Sequence, residues 1–163
     1  MPLKKFTYPH SRISASSRVI FESSAILLYL SNKYKKFHPD NYYWEIQEWL
    51  MFQTSQVGPL LGQAHQFLYY NSGKSIFAED KYINYGKRIY ETIDKRLENT
   101  NYLVHEYSIA DIATWPWIAR YERHKIDIYE YKNILRWYQE ISKRLAVIKG
   151  YNPDGGNEVI PLS

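Results

Sequence analysis

The stretch YSIADIATWPW, residues 107–117, decides the fold, because it contains the start signal of a long apolar helix. Ser108 is a good N-cap residue, and Asp111, three positions later, can accept a hydrogen bond from the backbone N–H of Ser108. Tyr107 and Ile112 stand at the two ends of a hydrophobic staple. The sequence therefore predicts a structural capping box made by Ser108 and Asp111, followed by a central, almost wholly apolar helix.

On both sides of this stretch, apolar residues recur every three or four positions, which is the spacing of helices that bury one face. Helices are predicted over residues 22–34, 40–70, 78–98, 107–124 and 131–147. We expect a bend at Gly58-Pro59 and a local distortion at Pro116, because proline lacks the N–H that a helix needs. Residues 1–20 show no apolar period and are interpreted as irregular. With no repeat and no run of alternating strand residues, the pattern predicts an all-α bundle.

Composition limits the classes of function. The chain has 163 residues, of which 45% are hydrophobic, enough for one core. Its formal net charge is +4, but the 21 Lys and Arg residues are spread among 17 acidic ones. No basic run of the kind that follows a phosphate backbone is present, so no nucleic-acid partner is predicted.

Cysteine and histidine usage narrows the chemistry further. The chain has no Cys, which excludes disulfides, cysteine zinc sites and a thiol nucleophile within it, so any sulfur chemistry must come from a ligand. Its five His residues lack the spacing of metal ligands, and no metal site is predicted. The start lacks the apolar core of a signal peptide, and no segment has the length of a membrane span. We expect a cytoplasmic protein without a membrane partner.

Three segments resemble the glutathione S-transferases. Residues 19–30, VIFESSAILLYL, resemble the end of the thioredoxin-like domain of that family, where a final strand meets the last helix at a Glu-Ser pair. Residues 47–67 resemble the nu-class, Ure2-like bacterial branch, and residues 107–117 are similar to the motif that starts the family's central helix. The resemblance implies an all-α carboxy-terminal helical bundle, preceded by the last helix of a thioredoxin-like domain.

This resemblance also implies a division into three parts. Residues 1–38 would be a remnant of the thioredoxin-like glutathione-binding domain, residues 39–150 the helical domain, and residues 151–163 a flexible tail. The residues before Glu22 do not resemble the family's glutathione-contacting loop, so we expect the groups that lower the thiol pKa to be missing. Two local departures are Ser24, where many relatives have glycine, and Leu145, where they often have proline.

The Glu-Ser pair carries the implied glutathione site. In relatives the carboxylate of the Glu, here Glu22, pairs with the γ-glutamyl ammonium of glutathione. The hydroxyl of the Ser, here Ser23, and the backbone amides at the helix start bind the α-carboxylate of glutathione. The alternative is that Ser23 is a plain N-cap and Glu22 a solvated acid. Arg88 lies near the position of an arginine that faces glutathione in some relatives. Alternatively it is a surface residue paired with a neighbour such as Asp94.

A pocket for the second substrate is implied beside this site, and Gln63, His65 and Trp115 are its candidate residues. The alternatives are a hydrogen-bonded histidine between helices and a tryptophan that belongs to the core. For Ser108 and Asp111 the capping box explains both polar residues. No catalytic residue is predicted within the chain.

The implied function is glutathione transfer to electrophiles or glutathione-dependent disulfide reduction, with glutathione as co-substrate. It is expected to be impaired by the missing half-domain. The alternative is a non-catalytic helical module that binds a protein partner or a hydrophobic ligand, and a third possibility is a decayed gene product. We also expect a homodimer or higher homo-oligomer, or a protein partner, to cover an apolar patch on the first helix. That patch comprises Ile26, Leu27, Tyr29 and Leu30.

Overall fold

A computed structural model describes residues 12–15, 18–152 and 159–162. It begins with an antiparallel hairpin of β1 (Arg12–Ala15) and β2 (Arg18–Phe21), in which Arg12 pairs with Phe21 and Ala15 with Arg18. The prediction of irregular structure before residue 20 is wrong for these two segments, because strands of four residues are too short to show an alternating pattern. Residues 1–11, 16 and 17 of the predicted remnant lie outside the described residues.

Helices make up most of the described chain, so the predicted all-α class is confirmed. They are α1 (Ser23–Tyr34), α2 (Tyr43–Phe52), α3 (Gly58–Ala64), α4 (Ile76–Leu97), α5 (Ile109–Ile118), α6 (Lys132–Ser142) and α7 (Leu145–Tyr151). Short 3₁₀ turns cover Asp40–Tyr42, Tyr121–His124 and Ile128–Glu130.

The predicted helix 40–70 contains two π-helical turns, Gln53–Val57 before α3 and His65–Tyr70 after it. Gly58 and Pro59, where a bend was predicted, begin α3, and the backbone there is helical at Val57 (φ −59°, ψ −57°) and at Gly58 (φ −57°, ψ −58°). A π turn widens the backbone, which makes room for a proline ring. It also changes the hydrogen-bond register, so the missing N–H of proline is tolerated. The irregularity therefore lies on either side of the predicted position.

Two predicted helices are shorter than expected. The central helix α5 ends at Ile118, and Arg120 leaves the helical region (φ −111°, ψ 24°) before the 3₁₀ turn that includes His124. The last predicted helix is divided, because Arg144 is extended (φ −70°, ψ 127°) between α6 and α7. The apolar spacing continues across both interruptions, which explains why the sequence pattern did not reveal them.

The core lies between α3, α4, α5 and α6, where Leu61, Ile93, Ile118 and Trp137 are fully buried. The carboxylate of Asp94 on α4 accepts hydrogen bonds from the first N–H groups of α6, at 2.9 Å from both Asn133 and Ile134. Asp94 is thus a tertiary cap for α6.

Helix α1 packs on a second, smaller apolar cluster. Leu27 and Leu28 contact the buried side chains of Ile46, Leu50 and Ile109. The predicted apolar patch is consequently half-buried rather than fully exposed. Its members Ile26, Leu27, Tyr29 and Leu30 all have intermediate exposure.

Part of the predicted flexible tail packs on the core. Ile160 is only 5% exposed, and the carbonyl of Pro161 accepts a hydrogen bond of 2.7 Å from the Tyr138 hydroxyl. Tyr151, at the start of that predicted tail, belongs to α7. An apolar Ile and a buried phenol thus supply a docking point for this part of the tail, whose flexibility stays a prediction. Residues 153–158 and 163 lie outside the described residues.

Among the described helices, none combines the length and the apolar content that crossing a membrane requires.

Candidate functional site

A cleft with a volume of about 620 Å³ lies between α1, the α2–α3 segment and α5. Its walls include Ser23 and Ile26 from α1, Gln53 and His65 from the two π turns, and Trp117 and Arg120 from the end of α5 and just beyond. The cleft thus joins one predicted glutathione residue, Ser23, to one predicted second-substrate residue, His65.

The start of α1 has an unusual backbone. Glu22 is its N-cap residue with φ 70° and ψ 121°, a conformation that costs a non-glycine residue free energy and often occurs at functional sites. The helix start has no side-chain cap among the described residues, and Ser23 is the first helical residue, so the alternative of Ser23 as N-cap does not hold. The first-turn N–H groups of α1 therefore lie beside the cleft without a capping side chain.

A polar network fastens this helix start to α2. Ser24 is 7% exposed, and its hydroxyl lies 2.8 Å from the Thr54 hydroxyl and 3.4 Å from Oε1 of Gln53. The Thr54 hydroxyl also donates to the Leu50 carbonyl at 2.9 Å. Ser24, at the position where many relatives have glycine, thus fixes the distance between α1 and the first π turn.

His65, which lines the cleft, stacks on a second imidazole that is buried behind it. The rings of His65 and His124 lie 4.7 Å apart at an angle of 10°, and Nδ1 of His124 lies 3.0 Å from the Tyr90 hydroxyl. Within the described part of the chain, Nε2 of His65 and Nε2 of His124 are buried and have no hydrogen-bond partner. An unpaired buried polar atom is costly, and because His65 also lines the cleft, His65 is the candidate of the two for a role in binding.

Burial and nearby cations keep both imidazoles neutral. Burial lowers the pKa of His65, and the guanidinium groups of Arg123 and Arg120 lower it further. Burial, with His65 and Arg123 as smaller causes, lowers the pKa of His124 to about 3. At neutral pH His65 can therefore donate or accept a hydrogen bond in the cleft without adding charge.

Trp117 forms the apolar wall of the cleft. Its ring lies over Gly58 and Gly62, one turn apart on α3, where an added Cβ would lie at ordinary contact distances of 3.5 Å and 3.8 Å from the ring. The Trp117 ring also lies 6.0 Å from the His65 ring. Arg120 supplies positive charge at this wall, and its guanidinium lies 5.0 Å from the centre of the Tyr151 ring.

Four predicted residues are not among those that line the cleft, and one of them, Glu22, directly precedes the lining residue Ser23. Gln63 is exposed on α3, and Arg88 is exposed on α4. Asp94, the proposed neighbour of Arg88, binds the start of α6 instead. Trp115 is 4% exposed, stacks on Tyr138 and donates from Nε1 to the Tyr138 carbonyl at 3.1 Å, so it belongs to the core.

The capping box of α5 is present. The N–H of Ser108 donates to Oδ2 of Asp111 at 2.9 Å. Oδ1 of the same carboxylate accepts from the N–H of Leu103 at 2.9 Å and from Nε1 of Trp137 at 2.8 Å. Burial raises the pKa of Asp111, while these hydrogen bonds oppose the rise. Asp111 thus fastens three segments together.

The sequence reasoning missed Gln53, Trp117 and Arg120 as residues that line the cleft. Gln53 stands in a stretch with apolar spacing and belongs to no known pattern. Two tryptophans separated by one residue were a signal that one of them faces away from the core. Among the described residues, no group of three or more His, Asp or Glu residues could hold a metal ion.

The comparisons with known proteins agree with this architecture. The family model for the glutathione S-transferase carboxy-terminal domain matches residues 79–144. The disulfide-bond oxidoreductase YfcG of Escherichia coli is 39% identical over 130 residues, which cover 78% of this chain and 60% of that protein.

Two solved structures are similar throughout the described bundle. A glutathione transferase from Pseudomonas putida, with one glutathione disulfide bound per subunit, has a TM-score of 0.79 at 31% identity, covering 85% of this chain and 64% of that one. A glutathione transferase homologue from Lodderomyces elongisporus, with two glutathione molecules per subunit, has a TM-score of 0.79 at 31% identity, covering 90% and 72%.

The chain belongs to the glutathione S-transferase superfamily, in its Ure2-like bacterial branch. It spans about 60% of YfcG and 64% of the Pseudomonas putida transferase. These relatives are glutathione transferases and disulfide-bond oxidoreductases, so they do not favour the alternative of a non-catalytic module.

Proposed function

We propose that this chain is the helical part of a glutathione-dependent enzyme that transfers glutathione to electrophiles or uses it to reduce disulfides. The observation that carries the proposal is the cleft in which the start of α1 meets His65, Trp117 and Arg120. The glutathione and glutathione disulfide bound by the similar structures support the same ligand here.

In this proposal the start of α1 binds the γ-glutamyl end of glutathione. The N–H groups of its first turn and the Ser23 hydroxyl take the α-carboxylate, since a helix N-terminus favours an anion. The exposed carboxylate of Glu22 pairs with the ammonium group. The strained backbone of Glu22 supports this role, because it holds the carboxylate at the helix entrance.

The second substrate would bind against the opposite wall. Trp117 offers an apolar face, the neutral His65 offers a hydrogen bond, and Arg120 offers a positive charge for a carboxylate such as that of a second glutathione. Gln63, Trp115 and Arg88 have no part in this proposal, because Gln63 and Arg88 are exposed outside the cleft and Trp115 belongs to the core.

The thiol in this chemistry belongs to the ligand, since this chain has no Cys. In disulfide reduction, the glutathione thiolate attacks one sulfur of the substrate and forms a mixed disulfide, while the substrate S–S bond breaks and the other sulfur leaves as a thiolate that takes up a proton. A second glutathione thiolate attacks the glutathione sulfur of the mixed disulfide, which forms glutathione disulfide and releases the second substrate sulfur as a thiolate that takes up a proton. Residues 1–38 would be the end of the thioredoxin-like domain and residues 39–150 the helical domain. We further propose that the protein is cytoplasmic and forms a homodimer or higher oligomer. Light scattering would test the oligomeric state.

Isothermal titration of the purified chain with glutathione, and separately with glutathione disulfide, tests the proposal. Ser23→Ala and Trp117→Ala should each weaken binding about tenfold, whereas Arg88→Gln, exposed and outside the cleft, should leave it within twofold. Circular dichroism confirms that each variant is folded. Absence of binding at several millimolar ligand, or an equal effect of Arg88→Gln and Ser23→Ala, would overturn the assignment to this cleft.

A further inference from the structure

Two buried polar groups near the cleft take no part in the proposed chemistry: the hydroxyl of Tyr90 and the imidazole of His124. Both side chains are fully buried, and neither lines the cleft. Tyr90 lies on α4, His124 in the 3₁₀ turn after α5, and His65 in the π turn after α3. Three separate segments therefore meet at this point, and His65 alone of the three side chains reaches the cleft.

The hydrogen bond between Tyr90 and His124 has a preferred direction. The Tyr90 hydroxyl lies 3.0 Å from Nδ1 of His124. If Nδ1 donated, both the hydroxyl hydrogen and Nε2 would lack a partner among the described residues, whereas donation by Tyr90 leaves only the Nε2–H unpaired. Burial raises the pKa of Tyr90 well above its ordinary value, so the hydroxyl keeps the proton that it donates. Tyr90 thus fixes the orientation and the tautomer of His124.

His124 presents the face of this fixed ring to His65. The two imidazoles lie 4.7 Å apart at an angle of 10°, and the Trp117 ring lies 6.0 Å from the His65 ring at an angle of 34°. Two flat rings therefore contact His65. A side chain packed in this way has few orientations and little contact with water.

Few groups can set the charge of His65. Of the described residues that line the cleft, His65 and Arg120 alone carry a titratable or charged side chain, and Glu22 precedes the lining residue at the start of α1. Burial lowers the pKa of His65 most, and the guanidinium groups of Arg123 and Arg120 lower it further. Because burial is the main cause, the side chain that covers His65 controls its charge. That side chain is His124 on the side away from the cleft.

We propose that Tyr90 and His124 are positioning residues that hold His65 uncharged and in one ring orientation at the cleft, a role that rests on the proposed function of the cleft. His124 acts through the face of its ring, which keeps water from one side of His65. Tyr90 acts one step further away, since its hydroxyl holds the His124 ring in place. Without this support, a charged His65 beside Arg120 would change the preference of the cleft for anions as the pH falls.

The first experiment measures the pKa of His65 by NMR in the chain without ligand. His124→Ala removes the covering ring, so water should enter and the pKa of His65 should rise toward its usual value of about 6.5. A double variant with Tyr90→Phe and His124→Phe keeps two flat rings and leaves no unpaired polar atom of the pair, so it should keep the pKa of the wild type. The His65→Gln variant identifies the His65 signals.

A milder variant serves in case His124→Ala does not fold. Tyr90→Phe removes only the hydroxyl, so Nδ1 of His124 loses its donor and the ring is free to turn. We expect the ¹⁵N signals of His124 to change from those of one tautomer to those of a mixture. The pKa of His65 should rise as well, but less than in His124→Ala.

The second experiment connects the pair to the cleft by titrating the chain with glutathione disulfide at about pH 5.5 and about pH 7, where the carboxylates and ammonium groups of the ligand keep their charges. In His124→Ala, protonation of His65 at the lower pH adds positive charge. The ratio of the affinity at the lower pH to that at the higher should therefore exceed the wild-type ratio by about threefold or more, because the ligand has a net negative charge. The double variant should keep the wild-type ratio.

Ile134→Ala is the control for a general loss of stability. Ile134 is fully buried on α6 and does not line the cleft, so its truncation should leave both the pKa of His65 and the affinity ratio unchanged. The positioning role is overturned if His65 titrates at the same pH in the wild type, His124→Ala and Tyr90→Phe. It is also overturned if Ile134→Ala shifts this pKa as much as His124→Ala does. If the wild type does not bind glutathione disulfide at either pH, the proposed function fails, while the pKa of His65 without ligand still decides whether the pair controls its charge.

Discussion

Asp111 and the pair His65–His124 are both polar groups within an apolar bundle, and they differ in how well they are paired. Both oxygens of Asp111 accept hydrogen bonds from three segments of the chain. Nε2 of each imidazole is buried and lacks a partner among the described residues. A satisfied buried group stabilises one structure, whereas an unsatisfied one beside a cleft retains the capacity to bind. The comparison assigns Asp111 to the fold and leaves His65 as a residue of the proposed binding cleft.

The largest effect should follow from removing the Asp111 carboxylate. Asp111→Ala leaves the N–H groups of Leu103, Ser108 and Trp137 without their acceptor, and it also removes the cap of α5. We expect the free energy of unfolding to fall by about 3–5 kcal/mol in urea denaturation. Asp111→Asn keeps one acceptor and should cost less. A loss below about 1 kcal/mol for Asp111→Ala would contradict its structural role.

Acidification should act through His124. Its pKa is about 3 in the folded chain, against about 6.5 when unfolded, so the unfolded chain binds the proton first. The stability contributed by the neutral ring is fully present above about pH 6.5 and is lost as the pH falls toward 3. The slope from this group approaches about 1.4 kcal/mol per pH unit.

Urea denaturation of the wild-type chain and of His124→Gln across this pH range measures that slope, because all other titrating groups are common to both. His105→Gln, at an exposed position, is the control and should keep the wild-type slope. If His124→Gln and the wild type lose stability in parallel, the neutral state of His124 in the folded chain is contradicted.

The two tryptophans of α5 provide a matched comparison. Trp115→Phe leaves the Tyr138 carbonyl without its donor and should cost about 1–3 kcal/mol of stability. Trp117→Phe loses no hydrogen bond that the structure describes and should cost less, while it changes the affinity for glutathione or its disulfide. Chemical denaturation and titration of both variants measure the two effects. If Trp115→Phe and Trp117→Phe lose the same stability and change binding equally, the assignment of Trp115 to the core and Trp117 to the cleft is contradicted.

The smallest effect concerns the glycines beside Trp117. Gly62→Ala adds a Cβ at an ordinary contact distance of 3.8 Å from the ring, so its better helix propensity should stabilise the chain by about 0.5–1 kcal/mol. Gly58→Ala meets Gln53 at 3.4 Å and should gain less. Thermal unfolding resolves this difference, and a large loss at Gly62 would show that the Trp117 wall tolerates no displacement.

Local signals in the sequence predicted much of the fold. The capping box at Ser108 and Asp111 depends on a spacing of three residues, which the sequence displays directly. The π turns leave no such mark, because a change of hydrogen-bond register alters few apolar positions. The break at Arg144 was likewise hidden by apolar spacing that continues into α7.

The candidate site was harder to predict for a geometric reason. Residues two apart on a helix point in directions about 200° apart, so choosing Trp115 instead of Trp117 placed the ring on the opposite side of α5. Ser23 and His65, which the resemblance implied as site residues, line the same cleft in the structure, and their roles in binding stay predictions. Arg120 lies just beyond the end of α5, at a position that only the three-dimensional structure brings to the cleft.

The cleft runs along the nearly continuous helical segment from α2 through α3, so positions on this segment give its length. Gln53 and His65 both line it and stand twelve residues apart along this segment, a separation of roughly 18 Å at the helical rise. An extended tripeptide spans at most about 11 Å. The separation of Gln53 and His65 along the cleft is therefore closer to the length of two tripeptides joined end to end than to the length of one.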